Sequence, residues 1–170
     1  LEFRRVLFRS PLHSAQEMAR YLQYSAEAPA TMLAKVMQLP NALIHNTKMQ
    51  AKAIKIIMLL NSLGEGEGSG AYLFADSEIK KFGLSSLEKS SALKSPEAFK
   101  KFVDFQVKRY KAMQSEAIKG DAYLPKKLKS LVKVNRAQQN YLVRNIEKNP
   151  ILVFENAKPL KIHHLIRARV

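Results

Sequence analysis

Residues 95–120 read SPEAFKKFVDFQVKRYKAMQSEAIKG, and this stretch decides the predicted fold class. Ser95 can cap a helix, Pro96 suits its first turn, and Glu97 places an acid near its positive end. Gly120 is a natural stop. The side chains that recur at helical spacing are Phe99, Phe102, Val103, Gln106, Tyr110, Met113 and Ala117. The pattern predicts one long amphipathic helix whose aromatic stripe belongs to a hydrophobic core.

The segment after Gly120 has the same helical character. Its pattern predicts a helix over about 125–147, which the dipeptide Asn149-Pro150 breaks. The residues ILVF, 151–154, are expected to form a short apolar connector. Pro159 then starts a last predicted helix.

Toward the amino end the pattern is again helical. The residues SAQE, 14–17, have the spacing of a capping box. The stripe predicted beyond them, up to a stop at Pro40, consists of Tyr21, Ala28, Met32 and Val36. A second helix is expected over about 42–62, with Ile54, Ile57 and Met58 on one side.

A single short helix is predicted from Asp76, closed by Gly83. No segment shows strand alternation bounded by hairpin turns. The chain has 170 residues, which is the size of one domain, and no linker long enough to separate two. The sequence therefore predicts an all-α fold in one domain.

The residues GEGEGSG, 64–70, hold four of the six glycines and interrupt the helical pattern. Each glycine disfavours a helix by about 1 kcal/mol. The stretch lacks the Gly-Lys-Ser/Thr ending of a phosphate-binding loop, and its glutamates would repel a phosphate. Glu65 and Glu67 could instead hold a hard cation such as Mg²⁺, and the alternative is a solvated flexible turn.

Composition excludes several classes of site. The chain has no cysteine, which excludes disulfides, thiolate metal sites and cysteine nucleophiles. That absence fits a reducing compartment, and we expect a cytoplasmic protein, with peripheral association at the inner membrane as a further expectation. The four histidines are scattered without the spacing of metal ligands. The most apolar run, 54–60, is broken by Lys55 and is too short to cross a membrane.

The net charge is +15, and from Lys119 onward twelve Lys or Arg face three acids. Such a field attracts anions: nucleic acid, anionic lipid headgroups or diphosphate-bearing substrates. A solvated basic helical face is the simplest interpretation of the charge. Nucleic acid is disfavoured as a partner, because the aromatic residues lie mostly in the predicted core stripe rather than on an exposed stacking surface.

Residues 1–10, LEFRRVLFRS, differ in character from the rest of the chain. They lack the apolar stretch and cleavage site of a secretory signal and the length of a transit peptide. All ten residues agree with a sequencing-library adapter translated in one frame. We therefore interpret 1–10 as an adapter artefact and 11–170 as the carboxyl-terminal part of a single helical domain.

Several segments taken together resemble the squalene/phytoene synthase family, the head-to-head prenyl-diphosphate condensing enzymes. YLQYSAEAPATMLAKVMQLP, 21–40, resembles the family helix of the type Tyr-Met-Tyr-Gly-Ser-Ala-Glu. AKAIKIIMLLN, 51–61, stands where the family has its second aspartate-rich motif, and GAYLF, 70–74, resembles the Gly-Arg-x-Tyr-Leu-Pro that comes next. The stretch from 95 to 134 and IEKNPILVFENAKPLK, 146–161, resemble the carboxyl-terminal helices. The likeness extends over nearly all of 14–170.

The resemblance implies part of an isoprenoid-synthase-type helical bundle. It implies a prenyltransferase that condenses two prenyl diphosphates, farnesyl or geranylgeranyl, in terpenoid or carotenoid biosynthesis. In the family, two aspartate-rich motifs hold Mg²⁺ ions that clamp the diphosphates inside an apolar cavity. By the same resemblance Tyr21 lines the cavity and Tyr72 contacts a diphosphate. Each of these tyrosines would equally suit a helical core.

The second aspartate-rich motif is degenerate in this sequence. In the register with fewest gaps, Lys55 replaces the family glutamine, Met58 the asparagine and Asn61 the arginine. The two aspartate positions fall on Ser62 and Gly66. A shifted register recovers Glu65 as a weak metal ligand at the cost of a larger deletion. Neither register leaves two carboxylates four residues apart on one helix face.

These observations leave two interpretations within the family. One is a working prenyltransferase whose second motif is damaged by sequencing error or has diverged with retained function. This fragment of it is expected to be inactive, and its first aspartate-rich motif would lie upstream of Pro11. The other is a non-catalytic member that uses the bundle as a lipid-binding or protein-binding scaffold. Outside the family, the chain could be a basic helical module that binds nucleic acid or an anionic membrane surface.

Overall fold

The computed structural model describes residues 12–64 and 73–155. Within these two ranges the chain forms seven α-helices and no β-strand, which confirms the predicted all-α class. The helices are α1 Ala15–Leu22, α2 Ala28–Val36, α3 Asn41–Asn61, α4 Asp76–Lys81, α5 Lys89–Lys94, α6 Pro96–Ile118 and α7 Lys126–Lys148. A π-helical turn, Gln23–Glu27, joins α1 to α2, and 3-10 turns span Ser62–Gly64, Asp121–Tyr123 and Pro150–Phe154. The last helix predicted from Pro159 lies outside the described residues.

The pairing of α3 with α6 is the most extensive contact between elements in the described part of the chain. Nearly all of the stripe predicted from 95–120 is buried on α6, with Met113 partly buried at its edge. The side of α3 that meets the core carries Ala53, Ile56, Ile57 and Leu60. The expected grouping of Met58 with Ile57 is wrong, because Met58 is 59% exposed. It lies on the opposite side of α3 from the α6 interface.

Aromatic contacts connect α6 to the connecting segments. The rings of Phe74 and Phe102 meet edge to face with centroids 5.4 Å apart, and Phe82 meets Phe102 in a similar way at 6.0 Å. Phe99 stacks on Phe154 at 5.3 Å. Such pairs contribute beyond the area they bury. The aromatic residues of the predicted stripe, Phe99, Phe102 and Tyr110, are therefore core residues.

The amino-terminal helices confirm one prediction and overturn another. The capping box is present, since Ser14 Oγ accepts from Glu17 N–H at 3.2 Å and the Glu17 carboxylate accepts from Ser14 N–H. The predicted stripe after Tyr21 is wrong: Met32 is 68% exposed and Val36 79%. The residues of this region that are buried are Met18, Tyr21, Leu22, Ala26, Ala30 and Ala34.

The π-helical turn explains that correction. Ala28, the residue directly after it, donates its N–H to the carbonyl of Gln23, five residues earlier. A π-turn holds more residues per turn than an α-helix, so it changes the rotation of every side chain after it. The face of α2 that turns inward therefore carries small alanines rather than the larger Met32 and Val36.

The helix boundaries follow the sequence signals at most positions. Gly83 ends α4 with φ of 77°, a conformation that favours glycine. Gly120 follows α6, and a Cβ there would lie 2.7 Å from Asn46 side-chain atoms. Asn149 caps the Pro150–Phe154 turn by accepting from Ile151 N–H. Ser95 occupies the cap position of α6, but its side chain makes no capping bond.

Helix α5 was not predicted from the sequence. It has six residues and its cap residue Glu88 makes no side-chain capping bond, so it carries little local signal. Its formation depends on packing, because Ala92 is completely buried against the core. Among the described residues, no helix combines the length and apolar character required to cross a membrane.

Replacing Phe102 with alanine tests the α3–α6 core. Phe102 is completely buried and contacts two other aromatic rings. We expect Phe102→Ala to lower the free energy of unfolding by about 3–5 kcal/mol, since it removes buried surface and leaves a cavity. Urea denaturation followed by far-ultraviolet circular dichroism measures the change. The control Tyr123→Ala changes an exposed aromatic residue, and equal losses in the two variants would contradict the assignment.

A buried polar network joins α6 to α7. The Tyr110 hydroxyl donates to Asn140 Oδ1 at 2.9 Å and accepts from Gln114 Nε2 at 2.5 Å. Burial raises the pKa of Tyr110 to about 12, although the Gln114 hydrogen bond and the positive charge of Arg136 oppose the shift. The folded chain therefore holds the phenol proton in a range where the unfolded chain releases it.

This raised pKa predicts a loss of stability in alkaline solution. Between about pH 10 and about pH 12 the native state binds more protons than the unfolded state, so the free energy of unfolding falls as pH rises. Phe at position 110 has no proton to lose. We expect the decrease between about pH 9 and about pH 11.5 to be smaller in Tyr110→Phe than in the unmodified chain. Identical decreases in urea titrations of both proteins would refute the assignment.

Candidate functional site

A groove runs between the π-turn and α2 on one side and α3 on the other, and we call it the α2–α3 groove. Its volume is about 460 Å³. Its apolar wall consists of Ala26, Pro29, Ala30, Leu33, Ala51, Ile54 and Met58. Four polar residues complete it: Ser25, Thr47, Gln50 and Lys55. The corrected orientation of α2 places small side chains along the groove and leaves its floor open.

Lys55, which lines the groove, lies beside the ring of Tyr21. The Lys55 ammonium is 5.3 Å from the centroid of the Tyr21 ring, within the range of a cation–π interaction. Tyr21 is 3% exposed and belongs to the hydrophobic core. The buried ring of Tyr21 therefore has a structural role. The contact with a substrate that the family resemblance implies for Tyr21 stays a prediction. Lys55 is the one charged residue among those lining the groove.

The acid that follows Ala26 in the chain is already paired. Glu27, the glutamate of the Ser-Ala-Glu segment, forms an ion pair with Lys52 Nζ at 2.7 Å, and both side chains are partly buried. Both residues line the polar hollow on the other side of α3, beside Arg20 and Arg109. The Glu27 carboxylate is therefore not a free ligand for the α2–α3 groove.

The described residues at the degenerate second motif include no carboxylate to hold Mg²⁺. Ser62 lies in a 3-10 turn and its hydroxyl donates to the carbonyl of Leu59 at 2.9 Å. Met58 and Lys55 offer a thioether and an ammonium, neither of which suits a hard cation. In the described residues, no three His, Asp or Glu side chains come together to hold a metal ion. Two site residues proposed from the sequence, Glu65 and Tyr72, lie outside the described residues.

Two buried donors at the groove have no partner in the described structure. They are the Ser25 hydroxyl and the Gln50 side-chain N–H₂ group. The other end of the Gln50 amide is fixed, since its oxygen accepts from Arg136 at 2.9 Å. A buried polar group without a partner costs about 1–3 kcal/mol, so such groups often mark a place for a ligand or water. Sequence reasoning missed both, because their lack of partners depends on tertiary packing.

A second, more enclosed cavity of about 170 Å³ lies between α2, α3 and α7. Its wall is mainly leucine and valine, including Leu43, Leu128 and Val132. Arg136 borders it and holds Asp121 through two hydrogen bonds, at 2.5 and 3.1 Å. This pair fixes α7 against the 3-10 turn that comes after α6. From the sequence alone, Arg136 was only one of the basic residues that contribute to the net positive charge.

Comparison with known proteins decides the family. The squalene/phytoene synthase family model matches residues 3–165, most of the chain. The chain belongs to the squalene/phytoene synthase family. A search of curated proteins found no match.

A solved structure shows the same fold. The squalene synthase HpnC from Alicyclobacillus acidocaldarius superposes with a TM-score of 0.73 at 15% sequence identity. The superposition covers 85% of this chain and 55% of that enzyme. The family and the helical fold inferred from the sequence are thereby confirmed, and the chain spans about half of that solved relative. The boundary proposed between residues 10 and 11 stays a prediction.

Proposed function

We propose that this squalene/phytoene synthase family chain binds prenyl diphosphates, farnesyl or geranylgeranyl, along the α2–α3 groove. The observation that carries the proposal is an apolar groove with one cation. Seven apolar side chains would cover a hydrocarbon tail, and Lys55 would face its phosphate end. Burial of apolar surface contributes about 25 cal/mol per Å², so a prenyl tail supplies most of the affinity.

The arrangement favours binding over condensation by this chain. Metal-assisted condensation needs carboxylates that hold Mg²⁺ and stabilise the leaving diphosphate. The described residues at the second motif supply an ammonium, a thioether, a carboxamide and a hydroxyl but no carboxylate, and Glu27 is engaged by Lys52. In the condensing enzymes of terpenoid and carotenoid biosynthesis, Mg²⁺ would supply the charge that promotes ionisation of the diphosphate. Here the chain's own residues bind and shield the substrate.

Filling the groove tests this proposal. Ala51 lines the groove from α3, and Ala51→Phe would occupy the space of the prenyl tail. We expect isothermal titration calorimetry to show binding of geranylgeranyl diphosphate to the unmodified chain and a loss of at least about tenfold in Ala51→Phe. The control Ala15→Phe adds the same ring at an exposed position of α1.

Two results would contradict the proposal. Equal affinity in Ala51→Phe and Ala15→Phe would place the ligand elsewhere. Release of pyrophosphate when the chain is incubated with farnesyl diphosphate and Mg²⁺ would show condensing or ionising activity. That result would replace a binding role with catalysis.

A second candidate function, contact with an anionic membrane surface, is favoured by α7 and the turn before it. Six cations and no acid occur between residues 122 and 146. Lys126, Lys127 and Lys133 are exposed, beside the exposed apolar side chains of Tyr123 and Leu131. Juxtaposed basic and apolar side chains suit the interface of a bilayer with anionic lipid. We propose peripheral association of a cytoplasmic protein through this surface.

Vesicle sedimentation checks the membrane proposal. We expect the chain to bind phosphatidylglycerol vesicles, to bind neutral phosphatidylcholine vesicles weakly, and to dissociate as salt increases. The double variant Lys126→Gln, Lys127→Gln should weaken binding, since each basic residue near the surface contributes about 1 kcal/mol. The control Lys100→Gln, Lys101→Gln removes two exposed charges from α6. Equal weakening by both pairs would show a general charge effect and refute a specific surface.

A further inference from the structure

We propose that the α2–α3 groove holds a diphosphate without a metal ion, through the Lys55 ammonium together with the Ser25 hydroxyl and the Gln50 amide. This inference rests on the proposed function and specifies how the phosphate end of the ligand is recognised. It arises from the mismatch between the residues at the second motif and the Mg²⁺ that the family uses.

The polar groups of the groove form a set of donors. Lys55 has three N–H donors and no acceptor. The N–H₂ group of Gln50 is buried without a partner in the described structure, while its oxygen accepts from Arg136. The Ser25 hydroxyl can donate, and it has no partner in the described structure. Phosphate oxygens are acceptors, so they complement such a set. A metal ion requires acceptors with negative charge, which this set lacks.

Lys55 is available for this role, whereas its neighbour on α3 is not. Lys52 is engaged with Glu27 at 2.7 Å, and both are partly buried. In the described residues, no carboxylate lies within ion-pair distance of the Lys55 ammonium, and its close neighbour is the face of the Tyr21 ring. A cation–π contact orients the ammonium without neutralising it. Its charge therefore remains available to an anion.

The apolar side chains of the groove strengthen the contact between Lys55 and a phosphate. Seven of the eleven residues that line the groove are apolar, so the local dielectric constant is lower than that of water. Charge-assisted hydrogen bonds from lysine to phosphate are correspondingly strong. In the family, carboxylates hold Mg²⁺, which supplies the positive charge for the diphosphate. Lys55 supplies positive charge directly, and among the described residues no carboxylate forms an ion pair with it.

The test measures the binding of farnesyl diphosphate and of farnesol to the chain by calorimetry, each in EDTA and in Mg²⁺. We expect equal affinity for farnesyl diphosphate in both conditions. Lys55→Met keeps the length of the side chain and removes its charge. We expect it to weaken diphosphate binding by about 10- to 100-fold and to leave farnesol binding unchanged. Lys55→Arg should restore most of the lost affinity.

The matched control is Lys48→Met, which removes a cation from the same helix at a position that does not line the groove. Circular dichroism of each variant establishes that it is folded. Equal weakening by Lys48→Met and Lys55→Met would overturn the assignment of Lys55, because general charge would then explain the affinity. A requirement for Mg²⁺ would overturn metal independence and leave prenyl-diphosphate binding standing. Failure of both farnesyl diphosphate and farnesol to bind would refute the proposed function itself.

Discussion

The packing of α3 on α6 determines the position of everything else in the described chain. The side of α6 that carries Phe99, Phe102 and Tyr110 is completely buried. The residues of α3 that pack against it are Ala53, Ile56 and Leu60. Burying a large apolar side chain contributes about 1.5–3 kcal/mol, so this interface fixes the rotation of α3 about its axis. Ala51, Lys55 and Met58 must then face away from α6. The groove is the consequence of that rotation.

The second constraint is the π-turn, which determines what faces α3 across the groove. Were α1 to continue as a regular α-helix, the residues after it would rotate and the larger Met32 would turn toward the core. The extra residue of the π-turn brings Ala26, Ala30 and Ala34 inward instead. Small residues let α2 lie close to α3 at some points and leave the groove open at others. The Glu27–Lys52 ion pair fastens the turn to α3.

Local signals in the sequence were sufficient for most helices and insufficient for the site. Two to four adjacent residues are enough to specify the capping box at Ser14, the end of α4 at Gly83 and the helix break at Asn149. The π-turn has no such signal, because its hydrogen-bond pattern is selected by packing against α3. The stripe predicted through Met32 failed for that reason. The family resemblance located the α2 and α3 segments, yet the open donors of Ser25 and Gln50 appear only when the helices are assembled.

The high net charge of the chain is a weak guide to function, whereas the location of one charge is a strong one. Most lysines are solvated, where salt and water reduce their interactions to small values. Lys55 differs because it is partly buried, lies over an aromatic face and borders an apolar groove. The proposed diphosphate contact therefore depends on the location of Lys55 in the groove and not on the net charge of the chain.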